Sequence, residues 1–260
     1  MIERQISDSR ASQREKTPDE HKNTVGLILL GNSGVGKSFL ANILLGRNVF
    51  KHDFSARSVT HETESEVFQL NRSKFIVFNI PGLIEANQKR IELNKQEIYR
   101  AFDQQPNALI LYVFGHQNGR VHDEDVVAFH AIKDAYPFRS DSLILVMNGL
   151  PSDRPNKYDD ETRELLIERV KCTPKAVIFV DYFNKKNPKM LETLRNNIIK
   201  QIIVAKPQVH VKEHDINLNV DEVTELVKEV NLLRTQLEEE LSMHFLKTNQ
   251  QENMFSEFMW

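Results

Sequence analysis

Gly31-Asn32-Ser33-Gly34-Val35-Gly36-Lys37-Ser38 matches the spacing G-x-x-x-x-G-K-[ST], which binds a phosphate chain. Its three glycines let the backbone bend around an anion without Cβ clashes. The loop N–H groups, and those of a helix beginning at its end, then point at the phosphates. Lys37 is the residue type that reaches terminal phosphates as a point charge, and the Ser38 hydroxyl is a ligand type for Mg2+. Contacts to a bound nucleotide are therefore assigned to Gly31, Asn32, Ser33, Gly34, Val35, Gly36, Lys37, Ser38 and Phe39.

Three further segments carry chemistry. Arg57-Ser58-Val59-Thr60 lies in a polar stretch, with Thr60 22 residues after Ser38. A threonine so placed closes on Mg2+ and the γ-phosphate in switch proteins, so Ser58 and Thr60 join the nucleotide set and Thr60 the metal set with Ser38. Asn79-Ile80-Pro81-Gly82 stands where a D-x-x-G motif belongs, which would put the Gly82 N–H against the γ-phosphate. Asn79 offers no negative charge there, and Leu83 takes the place of the water-orienting Gln of Ras-like enzymes. On sequence alone, Asn79→Asp is expected to tighten Mg2+-dependent binding or to speed hydrolysis. Met147-Asn148-Gly149-Leu150-Pro151 stands where guanine-reading N-K-x-D belongs. Asn148 is present, Pro151 replaces the aspartate, and the nearest acid is Asp153. Asp181 to Asn184 is the remaining place for a base-contacting residue.

The elements that must position these groups are legible as periodicities. Apolar runs predict strands over 24–30, 66–70, 74–80, 108–114, 143–147 and 177–180, the second and third joined by a hairpin turn at Asn71-Arg72-Ser73. Helical spacing predicts helices over 39–45, 88–104, 124–136, 160–170 and 188–204. Asp123, Glu124 and Asp125 read as acids at the start of the third helix. Alternating strands and helices imply an α/β fold: a mostly parallel sheet with one antiparallel edge strand, helices on both faces, and the ligand at the carboxyl ends of the strands.

Beyond residue 208, Val223, Leu226, Val230, Leu233 and Leu237 recur at 3-4-3-4 spacing, then drift to fours through Leu241 and Phe245. Two heptads leave two readings open, a helix packed on its own domain and a helix that pairs with a protein partner. The expected division is a disordered polar tail over 1–22, a G domain over 23–207 and a helical extension over 208–260.

With 40% hydrophobic and 27% charged residues, the composition is that of a soluble protein. A net charge of −3 gives no case for nucleic acid or an anionic membrane, and no run of about 18 apolar residues could span a bilayer. The one cysteine excludes an internal disulfide framework and fits a reducing, cytoplasmic setting. The polar first residues are not a signal peptide, and neither a myristoylation nor a prenylation signal is expected. His116 and His122 lack metal-site spacing and read as loop residues.

Over residues 24–205 the chain resembles the immune-associated GTPases, the GIMAP family, within the septin and chloroplast-import branch of GTPases. The resemblance rests on GLILLGNSGVGKSFLANILLG, FSARSVTHET and NIPGL, and most specifically on PNALILYVFGHQNGRVHDEDVVAFHAI. It implies a P-loop NTPase G domain that binds GTP and GDP with Mg2+ and reads guanine partly through an asparagine after the last strand, matched here by Asn184. It also implies a homodimer or homo-oligomer formed through G domains across the nucleotide, with an arginine of the family-specific box acting on the opposite site. Arg120 matches that arginine, and its other reading is an exposed loop residue. The catalytic set implied is Lys37, Thr60, Gly82 and Arg120, giving slow hydrolysis stimulated by dimerisation. The alternative is a non-hydrolysing, nucleotide-dependent assembly module. An ATP-handling P-loop protein is a third reading, kept open by Pro151.

Overall fold

Leu27 and Leu29 leave their strand on one side and Ile28 and Leu30 on the other, and none is more than 1% exposed. A strand apolar on both faces must be covered on both. This strand, β1 (Thr24–Leu30), lies at the centre of the sheet. In chain order follow β2 (Glu64–Leu70), β3 (Ser73–Asn79), β4 (Asn107–Phe114), β5 (His116–Gln117), β6 (Arg120–Val121), β7 (Leu143–Leu150), β8 (Ala176–Asp181) and β9 (Gln208–Val209). The helices are α1 (Lys37–Leu45), α2 (Gln88–Gln104), α3 (Asp123–Ala135), α4 (Tyr158–Val170) and α5 (Pro188–Val204). This is a computed structural model; it describes residues 24–51, 62–70, 73–84, 88–182 and 187–218, with Glu225, Leu232, Leu233, Thr235 and Gln236 helical beyond them.

The sheet runs β2-β3-β1-β4-β7-β8. β1 pairs in parallel with β3 and β4, β4 with β7, and β7 with β8, while β2 is the antiparallel edge. Period-two alternation sorts the core into two layers. Leu27, Leu29, Val77, Leu111 and Val146 pack against Leu40 and Leu44 of α1 and Ile198 and Ile202 of α5. Ile28, Leu30, Phe78, Tyr112 and Leu145 pack against Phe102 of α2, Phe129 of α3 and Leu166 of α4. The mostly parallel α/β sheet with helices on both faces is as expected, and α5 begins as its sequence suggests, with Asn187 accepting the Met190 N–H at 3.3 Å and proline in the first turn.

Two strand pairings are absent from the sequence reading. β9 runs antiparallel to the start of β4, Gln208 opposite Ala108. β5 and β6 form a separate two-residue-turn hairpin, with Asn118 at φ 50° and Gly119 at φ 80°. Asn-Gly is the dipeptide that such a turn favours, so this signal was present in the sequence.

After α5 the chain returns across the domain. Ile216 and Leu218 join the core, the Ile216 N–H donates to Tyr99 Oη at 2.7 Å, and Lys95 Nζ donates to the Leu218 carbonyl at 3.1 Å. His210, 4% exposed, lies edge-on to Phe102 and Phe138 with Nε2 3.1 Å from the Ala108 carbonyl oxygen. Burial holds its pKa below the ordinary 6.5, against the opposing pull of the carbonyl and with help from Arg139. The folded state therefore favours the neutral ring. That contribution is present above the ordinary histidine pKa and is lost as pH falls through the depressed folded value. The melting temperature of the native chain should fall below about pH 6.5 more steeply than that of His210→Phe. Parallel acid limbs in the two melting profiles would acquit His210.

Candidate functional site

The phosphate loop joins β1 to α1, with Gly31, Gly34 and Gly36 at φ 137°, 80° and 95°. L side chains rarely adopt these angles. A Cβ at Gly31 would also strike the Val113 carbonyl, and one at Gly36 the Asn148 amide. No side chain caps α1 among the described residues and no acid lies in its first turn. A helix start without such groups is suited to an anion, which then acts as the cap. Lys37, 7% exposed, folds over the loop and donates to the carbonyls of Gly31 at 2.9 Å and Asn32 at 2.7 Å. Its ammonium is thus held over the cradle in a set position. Phe39 continues α1 and lines the same cleft.

Ser38, one residue on, meets the end of β3. Its hydroxyl lies 3.2 Å from Asn79 Oδ1 and 3.0 Å from Asn79 Nδ2. Asn79 is fully buried, and its Nδ2 also donates to Glu64 Oε2 at 3.2 Å. Gly82 follows within reach of the loop: a Cβ there would fall on the backbone of Asn32 and Ser33. Its carbonyl accepts from Asn94 Nδ2 of α2 at 2.6 Å. Leu83 is 1% exposed and belongs to the core.

On the other side, Asn148 Nδ2 donates to the Val35 carbonyl at 2.8 Å, tying the end of β7 to the phosphate loop. Gly149, at φ 80°, sits at the register shift between β7 and β8, and its carbonyl is bonded by His116 Nε2 at 2.8 Å. That bond, and Tyr158 Oη donating to the Gly119 carbonyl at 2.6 Å, anchor the β5–β6 hairpin at the mouth of the site. Arg120 lies on this hairpin with an exposed side chain. Pro151 donates nothing. Its carbonyl accepts from Arg154, whose guanidinium also binds Asp159 and, at 2.5 Å, Asp181. Asp153 is exposed, whereas Asp181 and Tyr182 line the cleft. The cleft, of about 500 Å³, is bordered by the phosphate loop, Gly115, His116, His122 and Asn148.

Asp125 does more than its place in a helix start suggests. It is 2% exposed, accepts from Asn32 Nδ2 at 2.8 Å and from the Gly115 N–H at 2.7 Å, and so fastens the phosphate loop to the end of β4. Asn32 Oδ1 in turn accepts the Ile84 N–H at 3.2 Å. Burial raises the carboxyl pKa, opposed by these N–H donors and by His122 and Lys37. Asp123 instead pairs with Arg169 of α4. Ser58, Thr60 and Asn184 lie outside the described residues, as do Val223, Leu226, Val230 and Leu237 of the heptad pattern and the 1–22 tail. Among the described residues no three His, Cys, Asp or Glu side chains converge as a metal site, and no helix is long and apolar enough to cross a membrane. Mg2+ does not need such a cage, because it keeps waters and shares substrate phosphates with one or two protein groups.

A sheet of this order, with the phosphate loop after its central strand and Gly82 closing on it from the neighbouring strand, has the G-domain fold of P-loop proteins. The chain belongs to the AIG1 family, whose model matches residues 25–160. It is 25% identical over 187 residues to GTPase IMAP family member 8 of Mus musculus, covering 69% of this chain and 27% of that protein. It is 28% identical over 191 residues to immune-associated nucleotide-binding protein 12 of Arabidopsis thaliana, covering 69% and 48%. The chain thus spans between about a quarter and a half of the length of these relatives. A structure of the chloroplast translocon components Toc33 and Toc159 superposes with a TM-score of 0.54 at 20% identity, covering 73% of this chain and 87% of that one. Era of Aquifex aeolicus bound to GDP·AlF4− superposes at 0.52 with 18% identity, covering 76% and 63%.

Proposed function

We propose that this chain binds GTP and GDP with Mg2+ and acts as a cytoplasmic guanine-nucleotide switch with slow hydrolysis, accelerated when two G domains associate. The observation that carries the proposal is the cradle itself: Lys37 buried over the Gly31 and Asn32 carbonyls at an α1 start that no side chain caps among the described residues. In this reading the loop from Gly31 to Phe39 holds the phosphates and Ser38 and Thr60 meet Mg2+. Ser58 contributes beside Thr60, and the Gly82 N–H senses the γ-phosphate. Asn148 braces the loop beneath the base and Asn184 contacts the base. Hydrolysis is phosphoryl transfer to water, governed by positioning and electrostatics. Similarity to proteins named as GTPases, and to a fold solved with GDP·AlF4−, supports the nucleotide class. In Toc33 and Toc159 dimerisation is important for GTPase activity, which supports an association reading here. The extension expected over 208–260, of which Gln208–Val209 pairs with β4 and Ile216 and Leu218 join the core, is proposed to bind a protein partner or the G domain through its part beyond residue 218.

One observation favours a second reading, a nucleotide-dependent assembly module without turnover. Leu83 is buried in the core, so nothing at that position orients a water. Fluorescent GTP, GDP and ATP binding, with phosphate release followed across protein concentration, separates these readings. GTP and GDP should bind at least about tenfold more tightly than ATP, the worth of one well-placed hydrogen-bond pair. Equal affinity for ATP would overturn the guanine assignment, and tight GTP binding with no phosphate release at any concentration would select the assembly module.

A further inference from the structure

The family of P-loop switches places an aspartate at the end of β3, and this chain has Asn79 there. An uncharged amide leaves the Mg2+ side of the site short of one negative charge. The antiparallel register of the sheet edge brings a replacement. Glu64, the first residue of β2, lies directly opposite Asn79, the last of β3. Directly opposed residues on neighbouring strands project to the same face. On that face Glu66 pairs with Arg47 beyond the end of α1 and Phe68 stacks on Phe75, so the row Glu64, Glu66, Phe68 points towards α1. Glu64 Oε2 is 3.2 Å from Asn79 Nδ2, and the same Nδ2 is 3.0 Å from Ser38 Oγ.

We propose that Glu64 supplies the anionic partner for Mg2+ that Asn79 cannot, a proposal that rests on the nucleotide reading above. The residues present suit the ion. A serine hydroxyl, an amide oxygen and one carboxylate are all hard oxygen donors, and Mg2+ is held by one or two carboxylates with substrate phosphates and water. Asn79 acts as the bracket: its amide nitrogen orients the carboxylate and its other contacts hold the Ser38 hydroxyl. The charge has moved across one strand rather than vanished. Asn79→Asp alone then does not improve the site as the sequence suggests. It would set two carboxylates at hydrogen-bond distance, where like charges oppose each other.

Release of a fluorescent GDP analogue from the full chain, measured across free Mg2+ concentration, reads the grip on the ion without turnover. Glu64→Gln should raise the Mg2+ midpoint about tenfold, the lower end expected for a charged hydrogen bond at an exposed strand edge. Asn79→Asp should leave the midpoint unchanged or raise it. The double variant Glu64→Gln/Asn79→Asp should return to within about threefold of the native value, because one carboxylate again faces the ion without a rival. An unshifted midpoint in Glu64→Gln that still binds GDP overturns the proposal and leaves Glu64 an edge residue. A shift that the double variant fails to recover overturns it too, because a merely structural role has no reason to be repaired by a charge at position 79. Loss of GDP binding by the native chain itself would overturn the nucleotide reading, and this inference with it.

Discussion

Lys37→Ala should lower GTP affinity at least about tenfold while the protein stays folded. Charged hydrogen bonds contribute about 1.5–3 kcal/mol each, and this side chain makes several. Two bonds brace the loop through the Gly31 and Asn32 carbonyls, and the same ammonium is the loop's only lysine for the terminal phosphates. The variant thus removes both the positive charge and the brace, so the expected loss exceeds that of Ser38→Ala, which removes one Mg2+ ligand. Equilibrium titration with a fluorescent GTP analogue, run beside a thermal melt, is the direct measurement. Undiminished affinity in a cooperatively melting Lys37→Ala protein would end the phosphate-loop reading.

Specific GTPase activity should rise with protein concentration, and Arg120→Ala should abolish the rise. Leu83 is buried, so a single G domain offers no group there to orient water or to offset charge on the γ-phosphate. An arginine supplied by a partner is a physical remedy worth about 10³–10⁵ in rate where it operates fully. Arg120 is presented for such a role: it sits on a tight Asn-Gly hairpin that His116 and Tyr158 fasten at the mouth of the cleft. A γ-phosphate that orders the segment around Thr60 would make the pairing depend on GTP. Mixing Arg120→Ala with Lys37→Ala protein gives a clean comparison. The first retains a nucleotide site and the second retains the arginine, so activity should partly return in the mixture. Activity independent of concentration, with no return on mixing, would leave Arg120 a surface residue and the chain a slow switch or an assembly module.

The sequence by itself determined the chemistry that depends on short stretches of chain. Glycine spacing, a lysine and a serine at a strand-to-helix turn are local, so the phosphate loop, the alternation of strands and helices and the antiparallel edge strand β2 were all readable before any fold was known, though the second antiparallel strand, β9, was not. The Asn118-Gly119 turn was equally local, and its hairpin could have been read from it. The tertiary structure alone decided what depends on residues far apart in the chain. Asp125 and Asn32 are 93 positions apart, and only the closeness of β4 to the phosphate loop makes that aspartate a brace. Residues 208–218 show no strong period, yet the return of the chain after α5 buries His210, Ile216 and Leu218. Glu64 and Asn79 meet because one strand register out of several was selected, and a shift by one residue would turn Glu64 to the other face. That register is set by burying Phe68 and Phe75 together against α1, an energy of packing that no local pattern at residue 64 contains.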